Sequence, residues 1–386
     1  MKQAKMLTLT VILATAALVA VFLAVFSTPA AAKVTGPCGN CHTMHNSQGG
    51  SNMQTGYDSG SDAQATLLRA NGCLGCHGAT NGATWQGVGG APVVFNFNEP
   101  AFNAAKGLAG GNFYWVSPNS PYTDPKRDAC GHNVFSDNPD TLTPAPGGFA
   151  CGSDSCHDNI DKTSAGSGGL GNRQGCTKCH MVDNNSGPKG FHHADDSAAV
   201  INSFPWYRFL KGHGPGNSRG VTGIEDGDWE QETSTDHNEY LGAVVYGDEG
   251  LDGLGVNTMT AFCSGCHGDF HDDQHQGTEA EGNAWIRHPS DAVLPTDTPP
   301  TEYDAYMIYN PQAPVARPES GGTFDWTGSS NTVYPGEDMV MCLSCHRPHG
   351  SPYPDMLRWD YDTMNAGGGG ADGTGCFICH TNKDDA

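Results

Sequence analysis

Cys342-Leu-Ser-Cys345-His346-Arg-Pro-His349-Gly350 sets two cysteines three apart, a histidine directly after the second, and another histidine three further on. On one helical turn, residues at i, i+3 and i+4 share a face. Two thiols and an imidazole on one face suit covalent haem attachment: the thiols add to the porphyrin vinyl groups and the histidine reaches the iron. The same unit recurs at Cys38/Cys41/His42, Cys73/Cys76/His77, Cys176/Cys179/His180, Cys263/Cys266/His267 and Cys376/Cys379/His380. Zinc ribbons pair their Cys-x-x-Cys units at a regular spacing, and no such pairing occurs here. The six units read as six c-type haem sites.

A seventh site is irregular: Cys151-Gly-Ser-Asp-Ser-Cys156-His157. Two readings stand. In one, Cys151 and Cys156 are thioether cysteines with a four-residue spacer, and Cys130 is left over. In the other, Cys130 and Cys151 form a disulfide and the haem hangs from Cys156 alone. Both give seven haems c, each holding one iron.

The chain has 17 histidines. Those ending the motifs (His42, His77, His157, His180, His267, His346 and His380) are the proximal ligands. Ten remain, enough to give every iron a second imidazole. His45 and His349 follow a motif histidine by three residues, and His271 follows His267 by four. One short turn cannot wrap a porphyrin, so the second histidine of each pair goes to a different iron and draws two haems together. His132 and His288 are distal candidates from long loops. One of His192 and His193 is a ligand, and His213 and His237 compete for the remaining place. His275 is read as solvated. Met44, Met181 and Met341 lie near motifs and are the alternative axial ligands.

Composition agrees. Apolar residues are 37% of the 386, with 53 Gly and 24 Pro, too little apolar material for an ordinary core of this size. The segments 78–150, 181–262 and 268–341 have no sustained helical or strand period. Rigid apolar porphyrins tied to the backbone would supply the missing interior. The expected fold is therefore that of a multihaem c-type cytochrome: one haem-templated body over 33–386, mostly irregular coil with short α-helices and little β. Its core is expected to be stacked covalent haems, with tryptophans such as Trp115 and Trp359 packed around them.

The first 32 residues read as a secretory signal peptide. Lys2 and Lys5 precede the apolar run Leu7 to Phe26, and Ala30-Ala31-Ala32 offers a cleavage site. Cleavage leaves no stable transmembrane span and places the protein outside the cytoplasm, at the outer surface or extracellular, with the periplasm as the alternative. Net charge is −23, from 42 acidic and 19 basic residues, and it becomes more negative by the two lysines on cleavage. That balance excludes nucleic acid as a partner and favours cationic patches, metal oxides or other cytochromes.

With these residues in view, the chain resembles the outer-surface multihaem c-type cytochromes of metal-reducing bacteria, and in particular their filament-forming hexahaem members. The matching pieces, in order, are Cys38 to Gly50, Gly131-His132-Asn133-Val134, Ala145-Pro146-Gly147-Gly148 and Ser155-Cys156-His157-Asp158. They continue through Cys266-His267-Gly-Asp-Phe-His271, Arg287-His288-Pro289, Cys342 to Gly350 and the final Cys-x-x-Cys-His. The resemblance implies long-range electron transfer through stacked bis-histidine haems. It also implies that His45 ligates a haem of a neighbouring copy and drives polymerisation. The chain departs from the hexahaem pattern in the motif at 176–180 with Phe191-His192-His193, in the insert Gly152-Ser153-Asp154, and in the block Trp206 to Tyr240.

Bis-histidine iron has no open coordination position, so the expected function is outer-sphere electron transfer rather than catalysis. Partners are then other c-type cytochromes, copies of the same chain, or an extracellular metal oxide or other terminal acceptor. The alternative is a reductase of nitrite, hydroxylamine or a sulfur oxyanion, with one haem face open.

Overall fold

The computed structural model describes residues 37–45, 47–48, 51–52, 69, 73–80, 91–105, 107–135, 175–180, 207–210, 220–226, 232–242, 257–264, 267, 288, 290, 292–296, 303, 305–318, 328–366 and 373–381. Regular elements there are few and short. The six regular haem motifs share one hydrogen bond: the backbone N–H of the histidine donates to the carbonyl of the first cysteine. The bond measures 2.8 Å at His42–Cys38, 2.9 Å at His77–Cys73 and His180–Cys176, 3.1 Å at His267–Cys263 and His346–Cys342, and 2.9 Å at His380–Cys376. The turn that this bond closes is short because it has no amphipathic face to extend; tertiary packing, not propensity, sustains it.

Strands are two to four residues long. The largest sheet has Glu239–Gly242 at its centre, antiparallel to Gly223–Ile224 and parallel to Arg317–Pro318, with Gly223 opposite Tyr240 and Leu241 opposite Arg317. Gly78–Ala79 leaves the second motif and pairs in parallel with Phe95–Asn96. Ala292–Val293 pairs antiparallel with Met339–Val340, which leads into the fifth motif. Among the described residues no helix is long and apolar enough to cross a membrane.

Side chains fill more of the interior than composition implied. Tyr207, Val221, Tyr240, Met259, Met339, Met341 and Leu343 form one buried cluster. A second joins Leu294, Tyr306, Tyr309, Val315, Trp359 and Ile378, with Cys345, Cys376 and Cys379 packed against it. Leu74, Phe95, Phe113, Val116 and Phe135 make a third; Tyr114, Trp115 and Cys130 a fourth. Each fully buried large side chain is worth about 1.5–3 kcal/mol. The apolar residues are concentrated beside the motifs, so the chain-wide average hid them.

Two segments read as featureless, 78–150 and 268–341, have a defined path over 91–105, 107–135, 305–318 and 328–341. Isolated long-range hydrogen bonds hold them, and these leave no periodic trace in sequence. Arg317 is the clearest case. Its Nε donates to Glu239 Oε2 at 2.9 Å, and its other nitrogens donate to Asp338 Oδ2 at 2.5 Å and to the carbonyls of Thr332 and Ser330 at 2.7 Å each. Gly111 and Gly350 meet backbone to backbone at φ +81° and +125°. A Cβ on Gly111 would collide with the Gly350 carbonyl, so only glycine fits.

Candidate functional site

The helical turns present the sulfur pairs and histidines as the motif requires, and tertiary contacts then gather the turns. Cys41 is near enough to Cys76 to add to the rise that burial causes in its thiol, and Cys73 hydrogen-bonds Cys176, which joins the first three motifs. Cys179, the other sulfur expected to hold the third haem, closes the turn Cys176–Cys179 and is half-buried. Cys179 is close enough to Cys176 to add to the rise in that thiol, which the Cys73 hydrogen bond and burial dominate. The Cys342 thiol approaches Thr260 Oγ1 at 3.9 Å, on the helix Met259–Ser264 that carries the fourth motif. Cys345 lies against Cys376 and Cys379, which joins the fifth to the sixth. Burial first, then these neighbouring sulfurs, push Cys345 and Cys379 up to about 12.

Motif histidines are aimed by backbone carbonyls. His77 Nδ1 lies 2.9 Å from Pro92 O, His180 Nδ1 2.8 Å from Arg208 O, and His346 Nδ1 2.7 Å from Asp355 O. His132 Nδ1 makes the same contact with Pro348 O at 2.9 Å. A carbonyl only accepts, so Nδ1 carries the proton and Nε2 keeps the lone pair that a metal needs. Two of the accepting carbonyls belong to left-handed, non-glycine residues, Arg208 at φ 45° and Asp355 at φ 59°. Such residues each store of order 1–3 kcal/mol and persist only where their surroundings hold them. The Arg208 turn is clamped: its N–H donates to Glu225 Oε1 at 2.5 Å, and its guanidinium donates to Asp226 O at 2.7 Å and Asn238 Oδ1 at 3.0 Å.

Three pairs of imidazoles, tilted or edge-on to each other, lie at nearly one separation. Ring centres are 6.0 Å apart for His132 and His267, 5.9 Å for His180 and His349, and 6.1 Å for His288 and His380. Two metal–imidazole bonds of about 2 Å in line, plus about 1 Å from each nitrogen to its ring centre, put trans imidazoles about 6 Å apart. Each pair joins one motif histidine to one histidine expected to be distal. Desolvation lowers His77 and His180 and holds His349 down to about 3, with His180, His132 and His77 adding to the last. These rings are therefore neutral, which is the ligating form. His349 also stacks on Phe113, ring centres 4.6 Å apart. The sulfurs, the aimed rings and the paired imidazoles all fit covalent haem c.

His237 departs from the expected ligand set. Its Nδ1 bonds Thr233 O at 2.8 Å, its Nε2 bonds Glu239 Oε1 at 3.2 Å, and its ring lies flat on Tyr309 at 3.5 Å. Both nitrogens are used, so none is left for iron; His237 instead completes the Arg317 network. Met341 is a core residue and Met44 is exposed. His45 is exposed on the first motif's loop. His42, His77 and His346 are not members of the three ring pairs. Cys130 is a free thiol, fully buried and pushed up to about 11 by burial. Cys151, Cys156, His157, Met181, Cys266, His192, His193, His213, His271 and His275 lie outside the described residues, as does the signal segment.

Sequence reasoning missed the cations at the site. Arg69 donates to the Gly39 carbonyl at 3.1 Å inside the first motif. Arg347 and Arg358 are buried around the fifth. The scarcity of basic residues, 19 in the chain, was the available signal.

Residues 335–385 match the family described as the doubled CXXCH motif. Among solved structures, the outer membrane cytochrome S filament from Geobacter sulfurreducens is similar at 21% identity, covering 87% of this chain and 86% of that one, with a TM-score of 0.46. The OmcS nanowires of the same organism are similar at 20% identity, covering 92% and 93%, with a TM-score of 0.43. Among curated proteins none matches. The doubled motif around Cys342 and Cys376 is the matched unit of the chain.

Proposed function

We propose that this chain is an exported multihaem electron carrier that holds seven haems c, with imidazoles on both faces of each iron. The observation that carries the reading is the set of three imidazole pairs at 5.9–6.1 Å. On this reading His267 and His132 hold one iron, His180 and His349 a second, and His380 and His288 a third. Cys176 and Cys179 then tether the second of these haems. His346 and His349 serve different irons, so the turn Cys342–Gly350 ties two cofactors together, as the His-x-x-His spacing predicts. Bound haem c supplies a one-electron Fe(III)/Fe(II) couple. The protein's part is to attach sulfurs, aim imidazoles through carbonyls, and keep water from the buried rings. On this reading Cys151 and Cys156 are thioether cysteines with a four-residue spacer, and Cys130, fully buried, is left over. The exposed His45 supports self-association through a neighbouring copy's iron.

Intact mass together with the alkaline pyridine spectrum of the mature protein tests the reading. Seven covalent haems and a wholly low-spin ferric state are expected. A high-spin iron in the resting protein, or carbon monoxide binding to the reduced protein, would favour the reductase instead. Electron microscopy of His45→Ala should show the loss of any polymer without loss of haem; unchanged polymers remove that role for His45.

A further inference from the structure

Arg358 is fully buried, at 0% exposure. Its Nε donates to Leu343 O at 2.6 Å, and its two terminal nitrogens to Pro311 O at 3.2 Å and Ala109 O at 3.3 Å. Its backbone N–H donates to Cys345 O at 2.8 Å. Among the described residues no carboxylate lies within ion-pair distance of it. A second guanidinium, Arg347, is buried nearby and adds like charge. The carboxyl that both act on is Glu232, which burial pushes up and so weakens as a counter-ion; its own hydrogen bond is from Asn238 at 2.5 Å.

Burying a guanidinium costs several kcal/mol unless a counter-charge offsets it. Here carbonyl dipoles take three of the five donors and cannot cancel the charge. An acidic chain with few cations has thus placed two of them inside, around one haem motif.

We propose that Arg358 is a fixed interior charge that raises the reduction potential of the haem attached at Cys342 and Cys345. This rests on the haem-carrier reading above. Reduction lowers the charge at the iron by one as one electron arrives, so a positive neighbour in a poorly polarisable interior favours the reduced form. Three of its five N–H groups donate to carbonyls and, among the described residues, none to a carboxylate, so it is a source of field rather than a clamp on a carboxylate.

The test is a spectroelectrochemical titration of the haem-loaded protein and of Arg358→Gln and Arg358→Lys. In R358Q one single-electron component should move to lower potential by at least tenfold in its reduction equilibrium constant, or 59 mV, with the others in place. R358K keeps the charge and should stay near the parent. If R358Q does not accumulate as folded protein, Arg347→Gln should move the same component in the same direction. Full haem content with unchanged potentials, or a uniform drift of all components, would overturn the inference and leave the carrier reading standing. A parent protein without covalent haem would overturn the carrier reading itself.

Discussion

Replacing His349 by alanine separates axial ligation from packing. The imidazole lies opposite His180 with ring centres 5.9 Å apart, and a methyl group cannot bridge that gap. The iron expected there keeps His180 alone. With seven haems, roughly one-seventh of the ferric iron becomes high-spin, and the reduced protein takes up carbon monoxide at one equivalent per chain. The lost stack on Phe113 costs about 0.5–1.5 kcal/mol, small against the ~5–15 kcal/mol of a folded domain, so the variant should remain folded. Low-temperature electron paramagnetic resonance of the ferric state reads the spin change, a gas titration reads the stoichiometry, and added imidazole should restore the low-spin state. His237→Gln is the control: its ring is committed to Thr233 and Glu239, so it should lose stability and keep every iron low-spin. A low-spin H349A protein, or a high-spin H237Q protein, would refute the assignment.

Arg317→Met strands the buried Glu239 and Asp338 carboxylates and should cost about 3–5 kcal/mol, seen as a lower urea midpoint by circular dichroism; an unchanged midpoint contradicts the network. Burial alone would raise Glu239, but His237 and Arg317 outweigh it and hold its carboxyl below the usual 4.5. A depressed carboxylate stabilises fully above its unfolded value and loses that contribution as pH falls through its folded one. The stability gap between the parent and Glu239→Gln should therefore be full above pH 4.5 and close below it; a pH-independent gap counts against this. Cys130, buried and raised to about 11, should resist iodoacetamide in the folded protein and take one label in urea without reductant. Labelling that needs reductant would restore the disulfide reading.

Some features were legible because they are local. Two cysteines and a histidine at i, i+3 and i+4 share a face through backbone geometry alone, and all six regular motifs make the same hydrogen bond. Spacing also separated His346 from His349, since one turn cannot reach both faces of a porphyrin. By contrast, His237 was indistinguishable in sequence from a loop ligand. Only the placement of Glu239 and Tyr309 around it reveals two occupied nitrogens and a covered ring face. Arg358, likewise, is an ordinary arginine until the carbonyls of Ala109, Pro311 and Leu343 enclose it.

The sequence by itself determined the attachment points, the acidity and the surplus of histidine, because covalent spacing and charge do not depend on how loops close. Tertiary structure alone decided which imidazole pairs with which: His132 with His267, His180 with His349, His288 with His380. Each pair joins residues far apart in the chain. Its geometry is set by where intervening segments anchor, through contacts such as Gly111 on Gly350 and His132 on Pro348, which no local period encodes.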